Sequence, residues 1–187
     1  MTNDHTSVNR AALAAQIAKA SLLHGDFTLR SGRKSSYYLD KYRFSTRPEI
    51  LSQLGKLFNS EIQRLEADCG PIQQLAGAEL GGIPLVTAAS LETGKPSIFV
   101  RNAKKDYGTA KQVEGIITKG DRVVFLEDVA TTGGQSVEAI EVLRTAGAEV
   151  CAVICVIDRQ EGARENIEGA GVVFESLFTR QDLGVKD

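Results

Sequence analysis

The stretch RVVFLEDVATTGGQS, residues 122–136, decides how this chain is read. Its apolar run, Val123 through Leu126, has the character of a buried strand, and it ends on two adjacent acids, Glu127 and Asp128. Small and hydroxyl residues follow (Ala130, Thr131, Thr132, Gly133, Gly134, Ser136) and lead into a helix predicted over 136–146. Free amides at a helix start, with glycines that let the backbone come close, form a cradle for a phosphate. Two carboxylates in front of that loop repel a phosphate, but they accept hydrogen bonds from vicinal sugar hydroxyls or hold a cation. The combination predicts a ribose 5-phosphate site. A strand-end acid or a Thr/Gly helix cap alone carries little weight, whereas both in this order are considerably more specific. Neither GxxxxGK[ST] nor GxGxxG occurs in the chain.

Strand and helix alternate on both sides of this stretch. Strands are predicted over 74–78, 97–100 and 149–157, with a helix over 82–92 ending at Gly94 and a polar segment over 101–111. The apolar run at 150–157 suits a central parallel strand covered on both faces. The expected fold class is α/β: an open, mostly parallel twisted sheet flanked by helices, with ligands at the carboxyl ends of the strands. Before it, an alanine-rich helix is predicted over 9–23, with Ser7 as its candidate cap and its end near Gly25. The segment FTLRSGRKSSYYLDKYRFS, residues 27–45, reads as two short strands with a turn at 31–34. Pro48 opens a helix to about residue 67, whose Leu51, Leu54, Leu57, Phe58, Ile62 and Leu65 form a core stripe. One domain is expected over 1–187, with residues 1–70 as a small N-terminal hood of helices and short strands and 71–187 as the α/β core.

Composition narrows the chemistry. The 187 residues carry a net charge of −2, which argues against wholesale binding to nucleic acid. The longest apolar stretch is too short for a membrane helix and the first ten residues are polar, so a cytoplasmic protein without a membrane partner is expected. Cys69, Cys151 and Cys155 form no disulfide framework; four apart on a strand, Cys151 and Cys155 are expected on one face as two buried thiols. With only His5 and His24 as histidines, a structural zinc site and a Ser/His/Asp or Cys/His nucleophile are disfavoured. Carboxylates, basic groups, hydroxyls and amides must do the chemistry. The small net charge hides a segregation: residues 1–111 hold 15 basic and 10 acidic side chains, the remainder 7 and 14. The basic excess concentrates in 28–47 and 101–111.

Residues 123–136 resemble the phosphoribosyl diphosphate motif of the type I phosphoribosyltransferases. FTLRSGRKSSYY (27–38), GAELGGIPL (77–85), RNAKKDYGTAKQVEG (101–115) and DRQEG (158–162) extend that resemblance to the orotate phosphoribosyltransferase family over nearly the whole chain. The resemblance implies transfer of a 5-phosphoribosyl group from phosphoribosyl diphosphate to orotate, giving orotidine 5′-monophosphate and diphosphate. It implies Mg²⁺ held mainly by the substrate diphosphate, without a dedicated protein metal site. It also implies a homodimer in which the 101–111 loop completes the neighbour's site.

Residue by residue, it implies catalytic roles for Lys105, Asp128 and Glu127. Phosphoribosyl diphosphate would be bound by Arg30, Arg101, Asn102, Lys105 and Tyr107, and by the 127–135 segment through Glu127, Asp128, Val129, Ala130, Thr131, Thr132, Gly133, Gly134 and Gln135. Orotate would be bound by Tyr38, Leu39, Thr131 and Arg159, with Tyr37 beside the base. An arginine fork suits the orotate carboxylate and tyrosines suit a planar ring, although a surface ion pair and core packing are the plain alternatives. The chain departs from the pattern at Gly81, Asn102 and Tyr107, where many members carry lysine, lysine and histidine. The 81 loop is then left with amides and no side-chain charge. A phosphoribosyltransferase for uracil or hypoxanthine and a nucleic-acid-binding regulator are the rival readings. Fusion to a decarboxylase after Asp187 is not expected.

Overall fold

The computed structural model describes residues 8–28, 32, 34–102 and 112–185. Its centre is a six-stranded sheet built around the stretch quoted above. In chain order the elements are α1 (Arg10–Ser21), β1 (Leu22–Thr28), β2 (Lys34–Leu39), α2 (Tyr42–Ser45), α3 (Pro48–Cys69), β3 (Gln74–Ala78) and α4 (Gly82–Thr93). They continue with β4 (Ser97–Val100), β5 (Val113–Glu114), β6 (Arg122–Ala130), α5 (Gly134–Thr145), β7 (Glu149–Asp158), α6 (Ala163–Gly169) and β8 (Val173–Thr179). The sheet order is β5-β4-β3-β6-β7-β8, parallel throughout except for β5 against β4. β1 and β2 pair separately as an antiparallel hairpin.

Two apolar layers sandwich the sheet. On one face Val124, Leu126, Ala152 and Ile154 pack with Leu13 and Ile17 of α1, Phe44 of α2, Leu54, Phe58 and Ile62 of α3, and Leu85 of α4. On the other, Val123, Phe125, Val153 and Cys155 pack with Ile140 and Leu143 of α5 and Ile167 of α6. Each wholly buried side chain of this size contributes about 1.5–3 kcal/mol. Consecutive β6 residues face opposite layers, so this strand is apolar on both sides, as the 123–126 run required.

Several expectations are corrected. Asn9, not Ser7, caps α1, its side chain accepting from the Ala12 amide at 3.0 Å. α1 ends at Ser21, whose hydroxyl bonds back to the Ile17 carbonyl, and β1 starts before Gly25. The YRFS end of the aromatic-basic segment is the single turn α2 rather than strand. β5, α6 and β8 add to the predicted elements. Cys151 and Cys155 do not share a face: register advances from Val123↔Val150 to Val124↔Ala152, so Cys151 is a bulge residue. The extra residue resets the alternation. Cys151 lies half-buried against the α3 layer, and only Cys155 is a buried thiol, in the α5 layer.

Candidate active site

From β3 the chain crosses to β4 on one side, and from β6 to β7 on the other, so the order reverses between β3 and β6. Crevices at such a reversal, outside the carboxyl ends of the strands, are where open α/β sheets bind ligands. Here the β3–α4 loop brings Gly81 against Asp128 at the end of β6. A cavity of ≈ 480 Å³ opens there, its lining including Lys41, Glu79, Gly81, Arg101, Glu127 and Gln135.

β6 runs four residues further than its apolar core predicted, so Glu127 and Asp128 are strand residues and both are buried. Strand alternation sends them apart. Glu127 Oε2 accepts from the hydroxyl of Ser136 in the first turn of α5 at 3.0 Å, while Oε1 accepts from the Asp128 amide at 3.2 Å. Asp128 accepts from the Val129 amide at 2.6 Å and forms an ion pair with Lys41, 3.0 and 3.1 Å from its two oxygens. Burial, reinforced by the neighbouring Asp128 charge, raises the Glu127 carboxyl to about 8. Glu127 is thereby shifted toward its protonated form, while Asp128 is the partner of Lys41. Lys41 is pulled down by burial and pushed up by Asp128; the carboxylate prevails and the ammonium is held above its ordinary value.

The loop after β6 turns into α5 through Gly133, at φ 76°, and no side chain caps the helix. A Cβ at 133 would lie 3.1 Å from Ile167 and 3.2 Å from the Ala163 backbone, so only glycine makes this turn without strain. Asn166 of α6 donates to the Thr132 carbonyl at 2.8 Å and fixes the loop from outside. The uncapped N-terminus of α5 has its amides available for an anion.

The rest of the crevice is framed by the neighbouring strand ends. Arg101 and Gln112 are joined by an Arg101 amide to Gln112 carbonyl bond of 2.8 Å, just beyond the antiparallel Val100↔Val113 pair. The two described ends of the intervening segment therefore meet at one place on the sheet. Glu79 accepts from the Asn102 amide at 2.8 Å and ties the β3–α4 loop to that place. After β7, Arg159 lies under the hairpin: its guanidinium is 3.3 Å from the Tyr37 hydroxyl, 5.6 Å from that ring's centroid, and ion-paired to Glu161 at 2.9 Å.

Comparison with known proteins agrees with this geometry. Residues 48–185 match the phosphoribosyl transferase domain family. The orotate phosphoribosyltransferase of Natronomonas pharaonis is 47% identical over 159 residues, covering 85% of this chain and 87% of that one. That of Methanosarcina mazei is 43% identical over 187 residues, covering 97% of each. The chain belongs to the orotate phosphoribosyltransferase family. Among solved orotate phosphoribosyltransferases, the Mycobacterium tuberculosis enzyme in complex with 5-phospho-α-D-ribosyl 1-diphosphate superposes with a TM-score of 0.78 at 32% identity, covering 95% of this chain and 100% of that one.

In this member of the family, the residues expected from sequence are distributed as follows. Glu127 and Gln135 line the cavity together with Arg101 and Asn102, and the residues between them run from the end of β6 through the loop into α5. Arg159 follows directly on β7, where its amide bonds the Ala130 carbonyl at 2.9 Å. Tyr38 is 46% exposed and packs on Phe27 at 5.6 Å, whereas Leu39 is half-buried against the core. Arg30, Lys105 and Tyr107 lie outside the described residues. Sequence reasoning did not single out Lys41 or Glu79, and it read Ser136 as part of the phosphate loop rather than as the partner of Glu127. Lys41 lay in the basic window 28–47, but nothing local in the sequence shows that it reaches Asp128, 87 residues away.

Proposed function

We propose that this chain carries out its family's reaction, 5-phosphoribosyl transfer from phosphoribosyl diphosphate to orotate, in the crevice between β3 and β6. The product, orotidine 5′-monophosphate, places the reaction in pyrimidine biosynthesis. The observation that carries the assignment to this crevice is the buried Glu127–Asp128 pair at the end of β6, directly followed by the uncapped, glycine-started helix α5.

Each residue group then has a physical task. The α5 N-terminus and the 131–135 amides hold the 5-phosphate, while Glu127 and Asp128 receive the ribose hydroxyls. Arg101 and Asn102, joined by Arg30, Lys105 and Tyr107, take the diphosphate. Thr131, Tyr38, Leu39 and Arg159 present orotate, with the Arg159 fork on its carboxylate. The bond from the anomeric carbon to diphosphate oxygen breaks and the bond to the pyrimidine nitrogen forms; no protein nucleophile is required. The protein instead orients the two partners and offsets charge on the leaving diphosphate, with Lys105 as the principal cation.

Magnesium fits this donor set as a passenger of the substrate. Mg²⁺ would be held mainly by diphosphate oxygens next to Asp128, where it would offset their charge. The protein would be a cytoplasmic homodimer whose 101–111 loop completes the neighbour's site. Among the described residues no helix is long and apolar enough to cross a membrane.

The test is an assay of the purified protein with Mg²⁺, phosphoribosyl diphosphate and a panel of bases. Consumption of orotate with release of diphosphate is expected. Consumption of uracil or hypoxanthine in its place would overturn the specificity, and no consumption of any base would overturn the reaction.

A further inference from the structure

We propose that Lys41 is a side-chain cation of the diphosphate subsite, held on Asp128 in the free protein and released to the diphosphate when ribose hydroxyls take over that carboxylate. The assignment rests on the phosphoribosyl transfer argued above and adds a binding residue to it. Lys41 Nζ lies 3.0 and 3.1 Å from the two Asp128 oxygens. The carboxylate is 1% exposed, but the lysine side chain is 32% exposed and lines the cavity. The group that must accept ribose hydroxyls is thus already occupied by a donor that can withdraw. A flexible four-carbon stem and three donors suit an ammonium to such an exchange.

The β3–α4 loop explains why the cation comes from elsewhere. A Cβ at Gly81 would lie 1.6 Å from Asp128 Oδ2, so no side chain at 81 can share the space that the Asp128 carboxylate occupies. The loop supplies amides only. Among the described residues lining the cavity, Lys41 and Arg101 are the cations, set against Glu79 and Glu138. Arg101 already has Glu114 at 3.8 Å. Within the described lining, Lys41 is thus the further cation that can offset the charge of an entering diphosphate. When hydroxyls replace the ammonium as donors to Asp128, the freed charge is in the cavity, beside the bond that breaks.

Lys41→Met and Lys41→Gln test this by calorimetry with phosphoribosyl diphosphate and by steady-state kinetics, with thermal unfolding to confirm folding. The dissociation constant and the KM for phosphoribosyl diphosphate should each rise about 10- to 100-fold, the range for losing one hydrogen bond to a charged group, while the orotate KM stays within about twofold. Phosphoribosyl diphosphate affinity unchanged in folded variants would overturn the proposal and leave Lys41 a structural counter-ion. An orotate KM rising in step would do the same. Should neither variant fold, acetylation of Lys41 in the wild-type protein reads the same contact: phosphoribosyl diphosphate must slow it, and no protection would overturn the assignment. Binding of phosphoribosyl diphosphate that weakens in the Lys41 variants, in a wild-type protein that fails to consume orotate, would instead overturn the transfer reaction and leave this contact standing.

Discussion

Glu127 and Asp128 are neighbours in sequence with opposite duties, and their surroundings set the difference. Asp128 pairs with Lys41, while burial and the neighbouring Asp128 raise the Glu127 carboxyl, bonded by Ser136, to about 8. Its folded value lies above the ordinary 4.5, so the folded protein binds more protons than the unfolded chain between about 4.5 and 8. The stability Glu127 contributes is complete below that interval and is lost as pH rises through it. Thermal unfolding across the interval should therefore show the wild type falling, and Glu127→Gln, permanently neutral, losing that part of the fall. An identical slope in both proteins would show that Glu127 is not the group that titrates. Gly81 is the other residue whose identity follows from contact. Gly81→Ala brings a methyl group against Asp128 Oδ2 and must move that carboxylate. The expected result is a drop in kcat/KM of about tenfold or more, from displacement of one ribose ligand, with thermal stability less affected.

Among the elements, those with a repeating pattern long enough to announce itself were legible: the α3 stripe, the β6 and β7 apolar runs, and the glycine that stops α4. α6 spans seven residues and β5 two, too few to establish a period. β8 is an edge strand with Val173 48% exposed and Glu175 paired to Arg64, so its polar interruption masks its alternation. The bulge at Cys151 shifts the side-chain alternation in β7 without any local signature. In the proposed site, the 127–136 stretch was legible because its strand end, loop and helix start are consecutive. The contacts of Lys41 and Tyr37 were not, because the fold alone joins α2 to β6 and the hairpin to the end of β7. Two element-level predictions follow from that difference. Gly133→Ala forces a left-handed turn onto alanine against Ile167 and Ala163, and should cost about 1–3 kcal/mol in unfolding free energy and raise the KM for phosphoribosyl diphosphate above that for orotate. Tyr37→Phe removes the hydroxyl 3.3 Å from Arg159, and should raise the orotate KM by about 2- to 10-fold with phosphoribosyl diphosphate unaffected. Equal effects on both substrates would place the hairpin's role elsewhere.

At the scale of the whole molecule, charge and topology combine. The two basic windows, 28–47 and 101–111, both belong to the half of the sequence with a basic excess, whereas Glu127 and Asp128 belong to the acidic half. The sheet brings the halves together at the β3–β6 crevice, where Lys41 meets Asp128. Arg101 and Gln112, which flank the intervening segment, meet beside the β4–β5 pair at the edge of the sheet, and β5 is only two residues long. The proposed exchange between two copies requires the segment between them to serve the neighbour's crevice. Subunit mixing tests this. Lys105→Ala removes the loop's principal cation and Asp128→Asn removes a carboxylate of the crevice, so each homodimer is impaired at both sites. If the loop serves the neighbour, a mixed dimer has one site with both defects and one with neither. Random mixing makes half the dimers mixed, so activity should return to about a quarter of wild type. If each loop serves its own crevice, every site in the mixture keeps one defect and no activity returns, which would rule out the exchange while leaving the reaction in place.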